Sequence, residues 1–172
     1  GTHNLSNALA AISVCDLLNV NHNTISSSFS KFEGINRRFD IHISNKKIVY
    51  IDDYAHHPVE IKSTISGIID SFPERKLTVI FQPHLFSRTK DFAKEFAQSL
   101  SQADELILLD IYPAREEPIF GVDSKMLLDL CTNDSKIIFK NNELLSHLKD
   151  NKKDVVVTLG AGNISDLVKS IV

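Results

Sequence analysis

From residue 47 to residue 159, short apolar runs alternate with longer stretches of helical spacing, and this order constrains the fold more than any other feature. Lys47 to Ile51, Leu77 to Gln82, Glu105 to Ile111, Lys136 to Phe139 and Val155 to Leu159 hold the branched and aromatic residues that strands prefer. Helices are predicted between them over 58 to 72, 88 to 101, 123 to 132 and 142 to 150, with a last one from about Ile164. Pro58 stands at a permitted first-turn position of the first of these. Strands alternating with helices predict an α/β fold, a mostly parallel sheet with helices on both faces, because crossover connections lay helices over parallel strands. Phe39, Ile41 and Ile43 alternate on one predicted face before a polar turn at Ser44-Asn45-Lys46, so the strand ending at Asp52 gains one antiparallel edge partner.

Upstream, Leu5, Ala8, Leu9, Ile12, Cys15 and Leu18 mark one face of a helix over 4 to 18, with Asn4 as candidate N-cap. A shorter helix follows from about Thr24 to Phe32, with Gly34 in the C′ role and Ser26-Ser27-Ser28 on a solvated face. The 172 residues suffice for one main domain. A net charge of -3 argues against a non-specific nucleic-acid binder. Cys15 and Cys131 read as buried thiols of a cytoplasmic protein, and no apolar run approaches the roughly 18 residues of a membrane span. The abrupt opening on Gly1-Thr2-His3-Asn4 suggests a fragment.

In an open α/β sheet, ligands bind at the carboxyl ends of the strands, and that is where the polar clusters fall. Asp52-Asp53-Tyr54-Ala55-His56-His57-Pro58, Gln82-Pro83-His84, Tyr112-Pro113-Ala114-Arg115-Glu116-Glu117 and Gly160-Ala161-Gly162-Asn163 each follow a strand. Each also has a plain structural reading. Asp52 and Asp53 are candidate caps of the next helix, and His84 is a candidate loop histidine. Arg88 reads as a cation at a helix start, where it opposes the dipole unless an anionic ligand compensates. Arg115-Glu116-Glu117 reads as a solvated loop with an internal ion pair. The glycines at 160 and 162 either permit a tight turn or let an anion approach backbone N–H groups. None of the six glycines begins a Gly-x-x-x-x-Gly-Lys-Ser/Thr loop, so the chain is not a self-sufficient nucleotide-phosphate enzyme of that type.

Five ordered segments make the chain recognisable: Gly1-Thr2-His3-Asn4-Leu5-Ser6-Asn7-Ala8, Gly34-Ile35-Asn36-Arg37-Arg38-Phe39, Asp52 to Pro58, Gln82-Pro83-His84-Leu85-Phe86-Ser87-Arg88-Thr89 and Gly160 to Ile164. They resemble motifs of the Mur ligases, and among these the alanine-adding branch more than the branch that recycles murein tripeptide. The resemblance implies residues 1–34 as terminal helices of a central ATPase domain and 35–172 as a C-terminal Rossmann-like domain, inactive alone. It implies a cytoplasmic, ATP-dependent ligase of peptidoglycan precursor synthesis, joining L-alanine to UDP-N-acetylmuramate through an acyl phosphate, with the remaining ligase domains as partners. By the same resemblance His3, Asn4 and Asn7 lie along the adenine, Arg38 and Asp53 hold the ribose and phosphates, and Tyr54 packs near the base. His56 faces the reacting phosphates, while His84 and Arg88 orient alanine, Arg88 through its carboxylate. No metal ligand is assigned here, since the family's Mg2+ ligands lie mostly in the central domain. Leu85 departs from the Arg of many relatives. Two readings from other classes are a metal-dependent hydrolase using Asp52, Asp53, His56, His57 and His84, and a non-catalytic nucleotide-binding module.

Overall fold

The computed structural model of the chain describes residues 2–150 and 153–171, apart from the side chains at 2–3, 141–142, 149–150, 168–169 and 171. Two helices, α1 (Thr2–Leu17) and α2 (His22–Ser30), precede the hairpin of β1 (Asp40–Ser44) and β2 (Val49–Asp53). Strands and helices then alternate: α3 (Pro58–Ser71), β3 (Leu77–Phe81), α4 (Phe86–Asp91), α5 (Ala93–Leu100), β4 (Glu105–Leu108), α6 (Ser124–Leu130), β5 (Ser135–Ile138), α7 (Asn141–Asp150), β6 (Val155–Leu159) and α8 (Ser165–Ile171). The sheet order is β1-β2-β6-β3-β4-β5, parallel except for β1 against β2. The mostly parallel α/β sheet with one antiparallel edge is therefore as predicted.

All residues of β2, β3 and β6 are buried, as expected of parallel strands covered on both faces. Alternate side chains feed two cores. Ile51, Val79, Phe81, Leu106, Leu108 and Val157 meet Ile61, Ile65, Phe96, Leu100 and Leu127 from α3, α5 and α6. Tyr50, Ile80, Ile107 and Val156 meet Leu144 and Leu167 from α7 and α8.

The structure differs from the sequence expectations at several places. A bulge between Ile41 and Ile43 breaks the alternation of β1, so Phe39 packs on the first core and Ile43 on the second, while Ile41 is exposed. The predicted 88 to 101 helix is two helices, broken at Phe92, whose ring packs on His57 with centroids 4.9 Å apart. β4 stops at Leu108, opposite Ile138, where its partner β5 ends. Asn4 lies inside α1, as its third residue, and is not its N-cap. Gly34, at φ +96°, belongs to the loop beyond Lys31, the C-cap of α2. The apolar stripe of α1 is uncovered, with Leu5, Leu9, Leu17 and Leu18 exposed, and Cys15 is half-buried where a buried thiol was expected; Cys131 is buried. Among the described residues, no helix is long and apolar enough to cross a membrane.

Candidate functional site

The carboxyl ends of β2, β3 and β6 lie side by side, Asp53 opposite Leu159 and Leu159 opposite Phe81, which brings three of the polar clusters to one rim. A parallel bridge between His84 and Tyr112 adds the fourth.

On the β2 side, neither aspartate caps α3. His57 does, in a capping box with Glu60, whose carboxylate also accepts from the backbone N–H groups of His56 (3.0 Å) and His57 (3.1 Å). Burial alone would raise the Glu60 pKa, but these donors and the nearby His56 ring outweigh it and hold the carboxyl below its ordinary value. Asp52 faces inward: Oδ1 accepts from Thr158 Oγ1 (2.7 Å) and Oδ2 from Arg37 Nε (2.9 Å). Thr158 also meets the buried Tyr50 hydroxyl at 3.0 Å. Asp53 accepts from Ala55 N–H through Oδ1 and Phe39 N–H through Oδ2, both at 2.8 Å. Burial pushes the Asp53 carboxyl up, opposed by those N–H groups, Thr64 and Arg38.

The loop that Asp53 grips is strained. Arg37 and Phe39 adopt φ of +59° and +51°, a region that costs about 1 to 3 kcal/mol for residues other than glycine and persists where surroundings enforce it. Here the enforcement is visible. Arg37 N–H donates to Asp40 Oδ2 (3.2 Å), its carbonyl accepts from Tyr54 N–H (2.7 Å), and its Nη2 donates to Gly160 O (2.6 Å). Arg38 is exposed beside it, and the two guanidiniums lie 5.7 Å (Arg38) and 5.0 Å (Arg37) from the Tyr54 ring centroid. Sequence reasoning passed over Arg37, because two adjacent arginines give no sign of which one turns inward.

From the β2 side to the β3 side the rings of Tyr54, His56, His84 and Tyr112 form a file, with successive centroids 5.2, 6.1 and 5.5 Å apart and His84 stacked on Tyr112. His56 Nδ1 lies 3.0 Å from Tyr54 O and 3.3 Å from Glu60 Oε2, which leaves Nε2 for a ligand. Burial, then the charges of Arg88 and His56, lower the His84 pKa, so its ring is neutral at neutral pH. Among the described residues, buried Nδ1 of His84 and buried Nη1 of Arg88 have no hydrogen-bond partner. Arg88 is the third of the six residues of α4, in its first turn as expected and, in so short a helix, in its last turn as well. Glu116 does not pair within its own loop. It accepts from Ser87 N–H (2.9 Å) and Oγ (2.5 Å), contacts that hold its carboxyl below the ordinary value and tie the loop to α4. Leu85, at φ +74°, takes the backbone turn between His84 and α4.

The glycines at 160 and 162 make room for the protein itself. A Cβ on Gly162 would stand 2.5 Å from Gln82 Oε1 and 2.7 Å from Tyr112 Cγ, and one on Gly160 2.9 Å from Gln82 O. Buried Gln82 fills the turn, donating to Asn163 Oδ1 (2.8 Å) and accepting from Ile164 N–H (3.0 Å).

The structure thus brings together Arg38, Asp53, Tyr54, His56, His84 and Arg88. Asn4 and Asn7 are exposed on α1, and no hydrogen bond or ion pair among the described residues joins them to the rim; the His3 side chain lies outside the described residues. Among the described residues, no three His, Cys, Asp or Glu side chains are grouped to hold a metal ion. The metal-hydrolase reading fails on this geometry, because Asp52 and Asp53 are engaged by protein donors and His57 turns to Phe92. Two surface hollows, of about 360 and 460 Å³, lie away from the rim, one around Asp16 to Asn23 and one beside Lys94 and Thr132.

The sequence profile described as "Mur ligase, glutamate ligase domain" matches residues 37–162. The UDP-N-acetylmuramate--L-alanine ligase of Flavobacterium psychrophilum is 48% identical over 171 residues, 99% of this chain and 38% of the relative. That of Parabacteroides distasonis is 48% identical over 168 residues, 98% of this chain and 36% of the relative. Among solved structures, UDP-N-acetylmuramate-alanine ligase from Thermotoga maritima superposes with a TM-score of 0.81 at 29% identity, over 99% of this chain and 37% of that one. A murein peptide ligase from Psychrobacter arcticus gives 0.69 at 25% identity, over 99% of this chain and 36% of that one. The chain therefore spans little more than a third of the length of these proteins. With the profile covering most of its residues, strained loop, rim and glycine turn included, the chain belongs to the Mur ligase family.

Proposed function

We propose that the chain is the C-terminal part of a cytoplasmic, ATP-dependent ligase that joins L-alanine to UDP-N-acetylmuramate in peptidoglycan precursor synthesis. Residues 1–34 belong to the terminal helices of the central domain and 35–172 form the C-terminal domain. The profile match beginning at Arg37 and the uncovered apolar stripe of α1 support this division.

One observation carries the reading: a buried, unpartnered guanidinium nitrogen on Arg88 next to a buried, unpartnered imidazole nitrogen on a neutral His84. Buried polar groups are nearly always paired, so two orphans on one rim mark a place where a ligand completes the pairing. A free amino acid offers the complement. Its carboxylate pairs with Arg88, and its ammonium donates to His84, with Tyr112 as the wall behind. On the β2 side, Arg38 and Tyr54 receive the nucleotide of ATP, Asp53 holds the loop that carries Arg38, and His56 presents Nε2 toward the phosphates. Asn4, Asn7 and His3 reach the adenine from α1. Mg2+ accompanies the ATP, with its ligands assigned mostly to the remaining domains, and no three His, Cys, Asp or Glu side chains group to hold a cation among the described residues. The names of the relatives favour alanine addition over tripeptide recycling and over a non-catalytic module.

The test joins this chain to the amino-terminal domains of a matching ligase and follows phosphate release with UDP-N-acetylmuramate, ATP and L-alanine. Arg88→Ala lowers kcat/KM for alanine at least 30-fold, from a loss of about 2 to 5 kcal/mol for a truncated buried charge partner. Silence from a folded, correctly joined protein, or an Arg88→Ala variant with unchanged kcat/KM for alanine, would falsify the reading.

A further inference from the structure

Arg37 spends its guanidinium on the protein. Nε is bonded to Asp52, Nη2 to the carbonyl of Gly160, and its backbone is held on both sides, by Asp40 and by Tyr54. Asp52 is fixed in turn by Thr158 and, through it, Tyr50, so a line of hydrogen bonds runs from the middle of the sheet to the loop over 35–40. An ion pair whose carboxylate is buried is weak support for stability, since desolvation of Asp52 offsets much of the attraction. What this one does is geometric. It closes a loop whose two positive-φ residues, Arg37 and Phe39, flank Arg38. It also holds the backbone of Tyr54, whose ring lies beneath both guanidiniums.

We propose that Arg37 is a positioning residue of the nucleotide half of the rim: without touching the nucleotide, it clamps the 35–40 loop to Asp52 and Gly160 so that Arg38 and Tyr54 are held ready for a nucleoside triphosphate. The inference rests on the assignment of Arg38 and Tyr54 to the nucleotide. It goes beyond that assignment in naming a residue that acts only through others. Lysine is no substitute, because a single ammonium cannot reproduce the planar fork that serves two acceptors at once.

The experiment measures ATP dissociation constants by calorimetry on the intact ligase carrying this chain, together with KM for alanine and the urea midpoint. Arg37→Asn is the first variant, because Asn tolerates positive φ and leaves the loop backbone unstrained. Arg37→Lys is the second. Loss of hydrogen bonds made by a charged group predicts at least about tenfold weaker ATP binding for Arg37→Asn and a smaller loss for Arg37→Lys, with KM for alanine within about twofold of wild type. The urea midpoint falls in either case, because Asp52 loses its cation; a merely structural role would instead weaken ATP and alanine alike, which overturns the proposal. So does a folded Arg37→Asn, or a folded Arg37→Lys if the first does not fold, with wild-type ATP affinity. Wild-type protein that binds ATP, loses that binding on Arg37→Asn, yet turns over no alanine refutes the proposed ligase activity and leaves Arg37 in its role. Absence of ATP binding in the wild type refutes both.

Discussion

The two halves of the rim are built on opposite terms. On the β2 side Asp52, Asp53, Glu60 and Arg37 are all engaged by other protein groups, and a strained loop is held by side chains from two strands. On the β3 side His84 and Arg88 keep buried nitrogens without partners although Glu116, Ser87 and Tyr112 crowd around them. The contrast separates scaffold from receptor. One half fixes geometry before a ligand arrives, and the other leaves its hydrogen-bonding capacity for the ligand to complete, which is how preorganised donors act without reorganisation during reaction.

The sharpest way to break this contrast is to compare stability on the two sides. Asp52→Ala removes the carboxylate that accepts from the half-buried Arg37 guanidinium and from the buried Thr158 hydroxyl, two hydrogen bonds to a charged group worth about 1.5 to 3 kcal/mol each in urea unfolding. Arg88→Ala removes a side chain for which no hydrogen bond or ion pair is found among the described residues and whose buried Nη1 is unpartnered, so its unfolding free energy stays within about 1 kcal/mol of wild type. Equal losses would dissolve the distinction. Next in size, Gly162→Ala forces a methyl group against Gln82 and Tyr112 and costs about 1 to 3 kcal/mol. Because Tyr112 stacks on His84, this substitution also raises KM for alanine more than that for ATP; a shift confined to ATP would place the glycine turn with the other half.

The smallest effect is a pH dependence. The folded pKa of His84 lies below its ordinary value, chiefly through burial, so on acidification the unfolded chain takes up the proton first. Its contribution to stability is therefore whole above the unfolded pKa of about 6.5 and is lost as pH falls through the folded value. His84→Gln flattens stability between about pH 7 and pH 5. An unchanged slope would mean that the ring titrates as it does in water.

Much of this architecture was legible in the sequence. Buried parallel strands read as unbroken apolar runs, and the polar residues just beyond them mark the carboxyl rim whatever the details of packing. That put Asp53, His56 and His84 on one edge. What escaped depends on distant partners. Arg37 differs from Arg38 only through a left-handed backbone that neither residue announces. The bulge in β1 reassigns Phe39 and Ile43 to opposite cores without a glycine to signal it. Glu116 looked like half of a local ion pair because Ser87, its partner, lies 29 positions away.

The strand order carries a consequence for synthesis. β6, emerging from the ribosome after the other five strands, is the one that separates β2 from β3 and hydrogen-bonds to both. Until it arrives, β2 and β3 have no common neighbour, and neither the Thr158 hydroxyl that donates to Asp52 nor the Gly160 carbonyl that accepts from Arg37 is yet in place. The Tyr50–Thr158 contact closes over 108 positions, a loop entropy that is met late. The nascent chain therefore carries every rim residue from Arg37 to Arg88 well before it carries the strand that joins β2 to β3.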